Sequence, residues 1–186
     1  LDSPVTLQPA TRTGYDFEGW YDNAGLSGTP ITGFNPADAE NKHYYAKWSA
    51  AKSYTVQWNL NDGTPAGHPA SNPNTLTSYT VEDADITVNP ATRNGYTFLG
   101  WYDNAGLTGT PVTRIRTMDA ENKQYFAKWS AADSYTIVYS LNDGTPAGHS
   151  ANNPNTVTSY TVLDPNLTLA PATRTGYDFE GWYENP

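Results

Sequence analysis

Apolar and polar residues alternate along several short stretches of this chain, most clearly in SYTVQWNL at residues 53–60. Tyr54, Val56 and Trp58 fall on one face with polar residues between them, which is typical of a half-buried strand. Similar stretches predict further strands in the same part of the chain: TSYTV (77–81), YTFLGWY (96–102) and KQYFAKW (123–129).

Residues that favour turns separate these strands. The stretch NDGTPAGHPASNPNT (61–75) is rich in Pro, Gly and Asn and predicts a long loop. In NPATRNG (89–95), Pro90 near the start and Gly95 at the end predict a single helical turn with a left-handed stop. The fold class expected from these elements is α+β and rich in strands, with one short helical turn per unit.

The pattern repeats along the chain. Gly14, Gly95 and Gly176 are 81 residues apart, and the tryptophans six residues further on keep the same spacing. The chain therefore holds about 2.3 copies of an 81-residue unit, which is long enough to bury a small core of its own. We expect independently folded copies, arranged like beads on a string.

The phase of the repeat has two solutions. Starting each copy at SYT gives a truncated copy at 1–51, a complete copy at 53–133 and a second truncated copy at 134–186. Starting at the first residue gives units at 1–81 and 82–162 followed by a tail. We prefer the first phase, because SAAK and SAAD resemble short linkers.

The stretch GYTFLGWYDNAG (95–106) poses a question about Trp101. Leu99 is replaced by glutamate in the other two copies, so its face of the strand meets water, and strict alternation places Trp101 on that face. A bulge at Gly100 would instead turn the indole inward, and we favour this interpretation because small domains need large aromatic side chains in their cores. The alternative is an exposed ligand platform formed by Trp101, Tyr102, Tyr45 and Phe126.

Composition and charge narrow the range of functions. The net charge is −9, from 10 basic and 19 acidic residues, so a basic surface for nucleic acid is not expected. No stretch approaches the roughly 18 apolar residues that a membrane span needs, so membrane insertion is not expected either. The chain has no cysteine, which leaves neither disulfides nor a thiolate site.

Candidate catalytic and metal-binding residues are few. His68 and His149 recur, but both lie in the Pro- and Gly-rich loop without an evident nucleophile. Glu82, Asp83 and Asp85 form the one dense acidic cluster, and of their three positions only that of Asp83 is acidic in the other copies. We therefore predict no enzyme activity, no metal site and no cofactor.

The order of these motifs resembles a known family. SYTVQWNLNDGT, SYTV, PATRNGYTFLGWYDNAG and ENKQYFAKW follow one another as in the Listeria–Bacteroides repeat, also called the internalin B-repeat, and the resemblance covers the whole chain. It implies a secreted or wall-anchored bacterial surface protein built from small β-grasp-like (ubiquitin-like) modules. It transfers no catalytic residues to this sequence.

Three hypotheses of function remain. The first is a stalk or spacer with an adhesive role at the bacterial cell surface or cell wall, in which each copy adds about 30 Å of reach. The second is a module that binds a host surface protein or a glycan, with avidity from repetition. An enzyme is the third and least favoured. Because unpaired strand edges invite pairing, we also expect strand exchange between the truncated ends of neighbouring molecules.

Overall fold

A computed structural model of the chain describes residues 3–144 and 147–184. Within these ranges it contains short strands and two 3-10 turns, at Pro36–Asp38 and Thr117–Asp119. The strands are β1 (Val5–Thr6), β2 (Phe17–Tyr21), β3 (Gly33–Phe34), β4 (Tyr45–Trp48), β5 (Tyr54–Asn59), β6 (Ala70–Ser71), β7 (Ser78–Tyr79), β8 (Ile86–Thr87), β9 (Thr92–Arg93), β10 (Tyr96–Tyr102), β11 (Arg114–Ile115), β12 (Lys123–Ala132), β13 (Tyr135–Thr136), β14 (Ala151–Asn152), β15 (Ser159–Tyr160) and β16 (Thr173–Arg174).

The elements recur at the same interval as the sequence. Strands β1 and β8 begin 81 residues apart, as do β6 and β14, and as do the two 3-10 turns. Each turn ends at an alanine with positive φ, Ala39 and Ala120. At these positions, equivalent residues form equivalent local structure in different copies.

The chain divides into two compact units that both contain residues from more than one predicted copy. The first unit comprises Leu1–Asn61, Ser71–Ala91 and Gly100–Lys128, and the second comprises Asp62–Ala70, Thr92–Leu99 and Trp129–Pro186. Six strands form the largest sheet, in the order β6-β9-β10-β12-β5-β7. The boundaries of the copies at 1–51, 53–133 and 134–186 stay a prediction.

In the first unit, β5 lies between a parallel and an antiparallel neighbour. It pairs in parallel with β12, with Tyr125 opposite Trp58, and antiparallel with β7, with Tyr54 opposite Tyr79. The alternation predicted for residues 53–60 is confirmed, because Val56 is buried while Thr55 is exposed. Apolar side chains from several strands meet in the core of this unit, among them Val56, Tyr79, Val88, Trp101, Ile115, Tyr125 and Ala127.

In the second unit, a buried arginine anchors the long loop. Arg93 is 6% exposed, and its Nε donates a hydrogen bond to the carbonyl oxygen of His68 at 2.8 Å. Its Nη2 donates to the carbonyl oxygens of Asp62, Thr64 and Pro65 at 3.2–3.3 Å. Since a buried charge is tolerated when hydrogen bonds compensate it, these carbonyl groups stabilise the guanidinium while the guanidinium orders the loop.

Two local expectations are wrong. The helical turn expected at residues 89–95 is replaced by strand β9, although Gly95 does adopt the predicted positive φ, at 73°. The single-turn helix of the second copy lies instead at Thr117–Asp119. The linker expected at SAAD is also wrong in its first three residues, because β12 continues through Ala132.

The long loop is otherwise as predicted. Between β5 and β7 the chain forms the two-residue strand β6 and no other strand or helix.

Across the described residues, no helix is long and apolar enough to cross a membrane.

Replacing Arg93 with alanine tests the role of the buried guanidinium. We expect Arg93→Ala to lower the free energy of unfolding by about 3 kcal/mol, because several loop carbonyl groups lose a charged donor inside the protein. Urea unfolding followed by tryptophan fluorescence measures the change. Arg12→Ala is the matched control, since Arg12 occupies the same place in the motif but is exposed. Equal losses in the two variants would contradict the role assigned to Arg93.

Candidate functional site

The Gly-Trp-Tyr motif forms the centre of the core in the second copy. Trp101 is 1% exposed and Tyr102 is 7% exposed, so two consecutive residues of β10 are buried. Gly100 has a φ of 131°, and a Cβ at this position would lie 2.6 Å from Cβ of Pro111. Glycine adopts this φ readily, and any other residue would clash with Pro111. At this glycine the chain turns Trp101 inward.

The indole of the motif makes the same hydrogen bond in each copy. Trp101 Nε1 donates to the carbonyl oxygen of Asn89 at 2.9 Å. In the other copies Trp20 donates to the carbonyl oxygen of Gln8 at 2.8 Å, and Trp182 donates to that of Ala170 at 2.9 Å. Each acceptor stands twelve residues before its tryptophan. In each copy the tryptophan of the motif is therefore hydrogen-bonded to the segment that precedes it.

Other rings enclose Trp101. The ring of Trp58 meets it edge-on, with centroids 4.9 Å apart, and Tyr125 lies 5.2 Å from Trp58 on a tilted plane. Edge-on and tilted contacts of this kind stabilise cores beyond the area they bury. Lys128 Nζ lies 5.1 Å from the centre of the Tyr102 ring and donates to the carbonyl oxygen of Leu107 at 3.1 Å. These contacts keep both rings of the motif away from solvent.

The four rings considered for a ligand platform are not presented together. Trp101 and Tyr102 are buried and so offer no ring face to a ligand. Tyr45 and Phe126 are half-buried, and the ring of His43 stacks on Tyr45 with centroids 4.3 Å apart. The inward turn of Trp101 that the sequence favoured is confirmed.

The equivalent rings are open in the third copy. Tyr183, which matches Tyr102, is 78% exposed, and Tyr177 and Phe179 are also exposed. They line a groove of about 790 Å³ with Trp182, Arg174 and the acids Asp178 and Glu180. In the second copy β12 lies next to β10, whereas no described residue of the chain occupies the corresponding place here.

The acidic residues considered for catalysis all accept hydrogen bonds from other residues of the chain. Asp83 Oδ2 accepts hydrogen bonds from the backbone N–H and the hydroxyl of Thr80, at 2.7 and 3.0 Å. Asp85 accepts from the backbone N–H of Thr117, and Glu82 accepts from the hydroxyl of Tyr15. In the described part of the chain, no group of three or more His, Asp or Glu side chains is placed to hold a metal ion.

One lysine is held between two carboxylates. Lys123 Nζ lies 2.8 Å from Asp119 and 2.6 Å from Glu121. Its burial disfavours the charge, but the hydrogen bonds to the two carboxylates outweigh this effect and raise the pKa of Lys123. In the first copy Lys42 contacts Asp38 and Glu40 in the same way. In these two copies the arrangement stabilises the turn that precedes the last strand.

Sequence reasoning missed Arg93 and Arg174. Arg174 repeats the arrangement of Arg93, donating to the carbonyl oxygen of His149 at 2.7 Å and to that of Asp143 at 3.3 Å. A signal was present, since ATR precedes the GY of the motif in all three copies. The partners are backbone carbonyl groups, however, which leave no pattern in the side chains.

With repeated β-rich elements and a repeated core motif, the chain is a tandem repeat protein, and comparison with known proteins identifies its family. The profile of the Listeria-Bacteroides repeat domain matches residues 2–47, 54–128 and 135–186. The chain therefore belongs to the Listeria-Bacteroides repeat family, with three matches along its length.

Two curated relatives from Evansella cellulosilytica are longer than this chain. One, named "Putative membrane protein", is 28% identical over 180 residues, which cover 95% of this chain and 24% of the relative. The other, named "Putative Gly-rich membrane protein", is 27% identical over 187 residues, covering 94% of this chain and 20% of the relative. This chain thus spans a quarter or less of each. No solved structure matches it.

Because Tyr125 is buried in the core, the free energy of unfolding should depend on pH in the alkaline range. Burial raises the pKa of Tyr125 to about 12, whereas a tyrosine in an unfolded chain titrates near 10. The neutral ring therefore stabilises the fold fully below pH ~10, and this contribution is lost as the pH rises towards 12. Urea unfolding between pH 9 and 12 should show the free energy of unfolding falling in this window.

Two variants separate this effect from general alkaline unfolding. We expect a smaller loss in Tyr125→Phe, because phenylalanine cannot ionise. Tyr183→Phe should behave like the parent, since Tyr183 is exposed. An unchanged pH dependence in Tyr125→Phe would show that ionisation of this ring does not limit stability.

Proposed function

We propose that the chain is a non-catalytic part of a bacterial cell-surface or secreted protein and acts there as a stalk or spacer with an adhesive role. The observation that carries the proposal is the hydrogen bond of the tryptophan in the Gly-Trp-Tyr motif, which recurs in all three copies. The tryptophan joins the same two segments by a hydrogen bond in every copy, so the residues that recur most clearly stabilise the fold. Membership of the family and the names of the two relatives support a place at the bacterial surface.

We further propose that each copy is a β-grasp-like module. The order β7-β5-β12-β10 supports this, since the first and last long strands of the copy lie in parallel at the middle of the sheet. On its other side, β5 pairs with the antiparallel strand β7. The copy differs from a sheet wrapped around a helix, because residues 80–91 contain only β8 and a turn.

A spacer should lengthen with copy number. Inserting a further copy of residues 53–133 after Asp133 should raise the maximum dimension in small-angle scattering by about 30 Å, the diameter expected for a globule of this length. The control is a Gly/Ser insert of equal length, which should raise flexibility in the same profiles. An insert of residues 53–133 that scatters like the Gly/Ser control, or adds no length, would contradict the spacer function.

The second candidate, a binding module, is favoured by the groove of the third copy. Exposed rings beside carboxylates and an arginine are suited to stacking on sugars or packing against a host protein. The same groove could instead receive β4 of a second molecule by strand exchange, because in the second copy the equivalent of β4 forms part of β12, next to β10.

A glycan array distinguishes these candidates when combined with light scattering. Binding through the groove should fall at least about tenfold in Tyr183→Ala and stay unchanged in Tyr160→Ala, whose ring is exposed outside the groove. Strand exchange should appear as a dimer whose fraction rises with concentration. Monomer at all concentrations excludes exchange, and equal binding by both variants excludes the groove.

A further inference from the structure

A valine of one copy packs into a notch made by a glycine of the copy before it. Gly14 is buried, and a Cβ built on it would lie 2.5 Å from both Cγ atoms of Val81. Gly95 is also buried, and its Cβ would lie 2.2 and 2.5 Å from the Cγ atoms of Val162. Each contact lies within one compact unit, the first within the first unit and the second within the second.

A hydrogen bond accompanies each notch. The backbone N–H of Lys52 donates to the carbonyl oxygen of Gly14 at 2.8 Å, and that of Asp133 donates to the carbonyl oxygen of Gly95 at 2.8 Å. Lys52 and Asp133 stand just before the first strand of the following copy. The connecting segment is therefore tied to the same glycine that receives the valine.

The glycine of the third copy has the same conformation without the contact. Gly176 has a φ of 79°, close to the 78° of Gly14 and the 73° of Gly95. It is exposed, and a Cβ there would meet no heavy atom of the described residues within 4 Å. The backbone shape of the notch thus belongs to the motif, and its burial depends on a valine from another copy.

We propose that this notch is a docking surface through which each copy binds the next one and couples its stability to that of its neighbour. The occupant is the valine at the end of the SYTV segment of the following copy, Val81 or Val162. The valine methyl groups lie so close to the glycine that a Cβ on it would overlap them. Coupling between nearest neighbours is how repeat arrays gain cooperativity.

The two junctions differ at the position that follows the valine. At the first, the hydroxyl of Tyr15 donates to Glu82 Oε1 at 2.6 Å, and this hydrogen bond raises the pKa of Tyr15. At the second, the equivalent residues are Tyr96 and Leu163, and the buried hydroxyl of Tyr96 has no hydrogen-bond partner among the described residues. A carboxylate is therefore available to the tyrosine at one junction only.

Amide hydrogen exchange in the full chain tests the proposal at each junction separately. In Gly95→Ala the added methyl group should displace Val162, so the amide of Asp133 should exchange at least about tenfold faster. The amide of Lys52 reports the other junction in the same molecule and should be unchanged. Gly14→Ala should reverse this pattern, and Gly176→Ala, which adds the same backbone strain without the overlap, should change neither amide.

The outcome that overturns the proposal is equally specific. If Gly95→Ala leaves the exchange of the Asp133 amide unchanged, or accelerates both reporter amides alike, the glycine does not act at its own junction. If Gly176→Ala accelerates the Asp133 amide as much as Gly95→Ala does, backbone strain explains the effect and the valine contact does not.

Two milder variants keep the test informative if an alanine at Gly95 prevents folding. Val162→Ala empties the notch without straining the glycine and should also accelerate exchange of the Asp133 amide; an unchanged rate overturns the proposal. Leu163→Glu gives Tyr96 the carboxylate that Tyr15 has and should slow exchange at Asp133. An unchanged or faster rate would mean that the tyrosine at this position does not contribute to the junction.

Discussion

The structure of each copy depends on a single hydrogen bond, from the indole of the Gly-Trp-Tyr motif to a carbonyl oxygen twelve residues earlier. This bond requires the indole to point inward, which requires the bulged glycine before it. Around Trp101 the edge-on contact with Trp58 and the parallel pairing of β5 with β12 close the core. In the second copy the glycine, the indole and the last strand pack together. In the third copy the positive φ of Gly181 and the indole hydrogen bond persist, although residues 178–184 belong to no described strand.

Aromatic rings and one buried arginine stabilise this small module, whereas larger domains rely on an extensive aliphatic core. A module of about eighty residues has few aliphatic side chains to bury, and here wide rings fill the space between short strands. Arg93 extends the ordered region to a loop that has almost no apolar residues, because its guanidinium supplies donors to several carbonyl groups at once. Strands of two residues can then persist in a chain with little regular secondary structure.

The strands could be predicted from the sequence where alternation is long enough to define a face, as in β5, β10 and β12. The helical turn at residues 89–95 could not, because Pro90 and Gly95 suit the ends of a turn and the ends of a short strand equally well. The inward Trp101 could be predicted from Gly100, which favours a bulge, and from the need of a small domain for large aromatic core residues, although strict alternation would place it on the outer face with Leu99. The contacts of Arg93 and the glycine notches remained hidden, because they join segments distant in sequence and involve backbone atoms.

The notch has a consequence for how such a protein can change its length. Gly14 contacts Val81 and Gly95 contacts Val162, so in each case the two partners are 67 residues apart. Duplicating or deleting one whole period of the gene, wherever the break falls, recreates a glycine and a valine at this separation. Unequal recombination could therefore add or remove whole copies while every new junction keeps its glycine–valine contact.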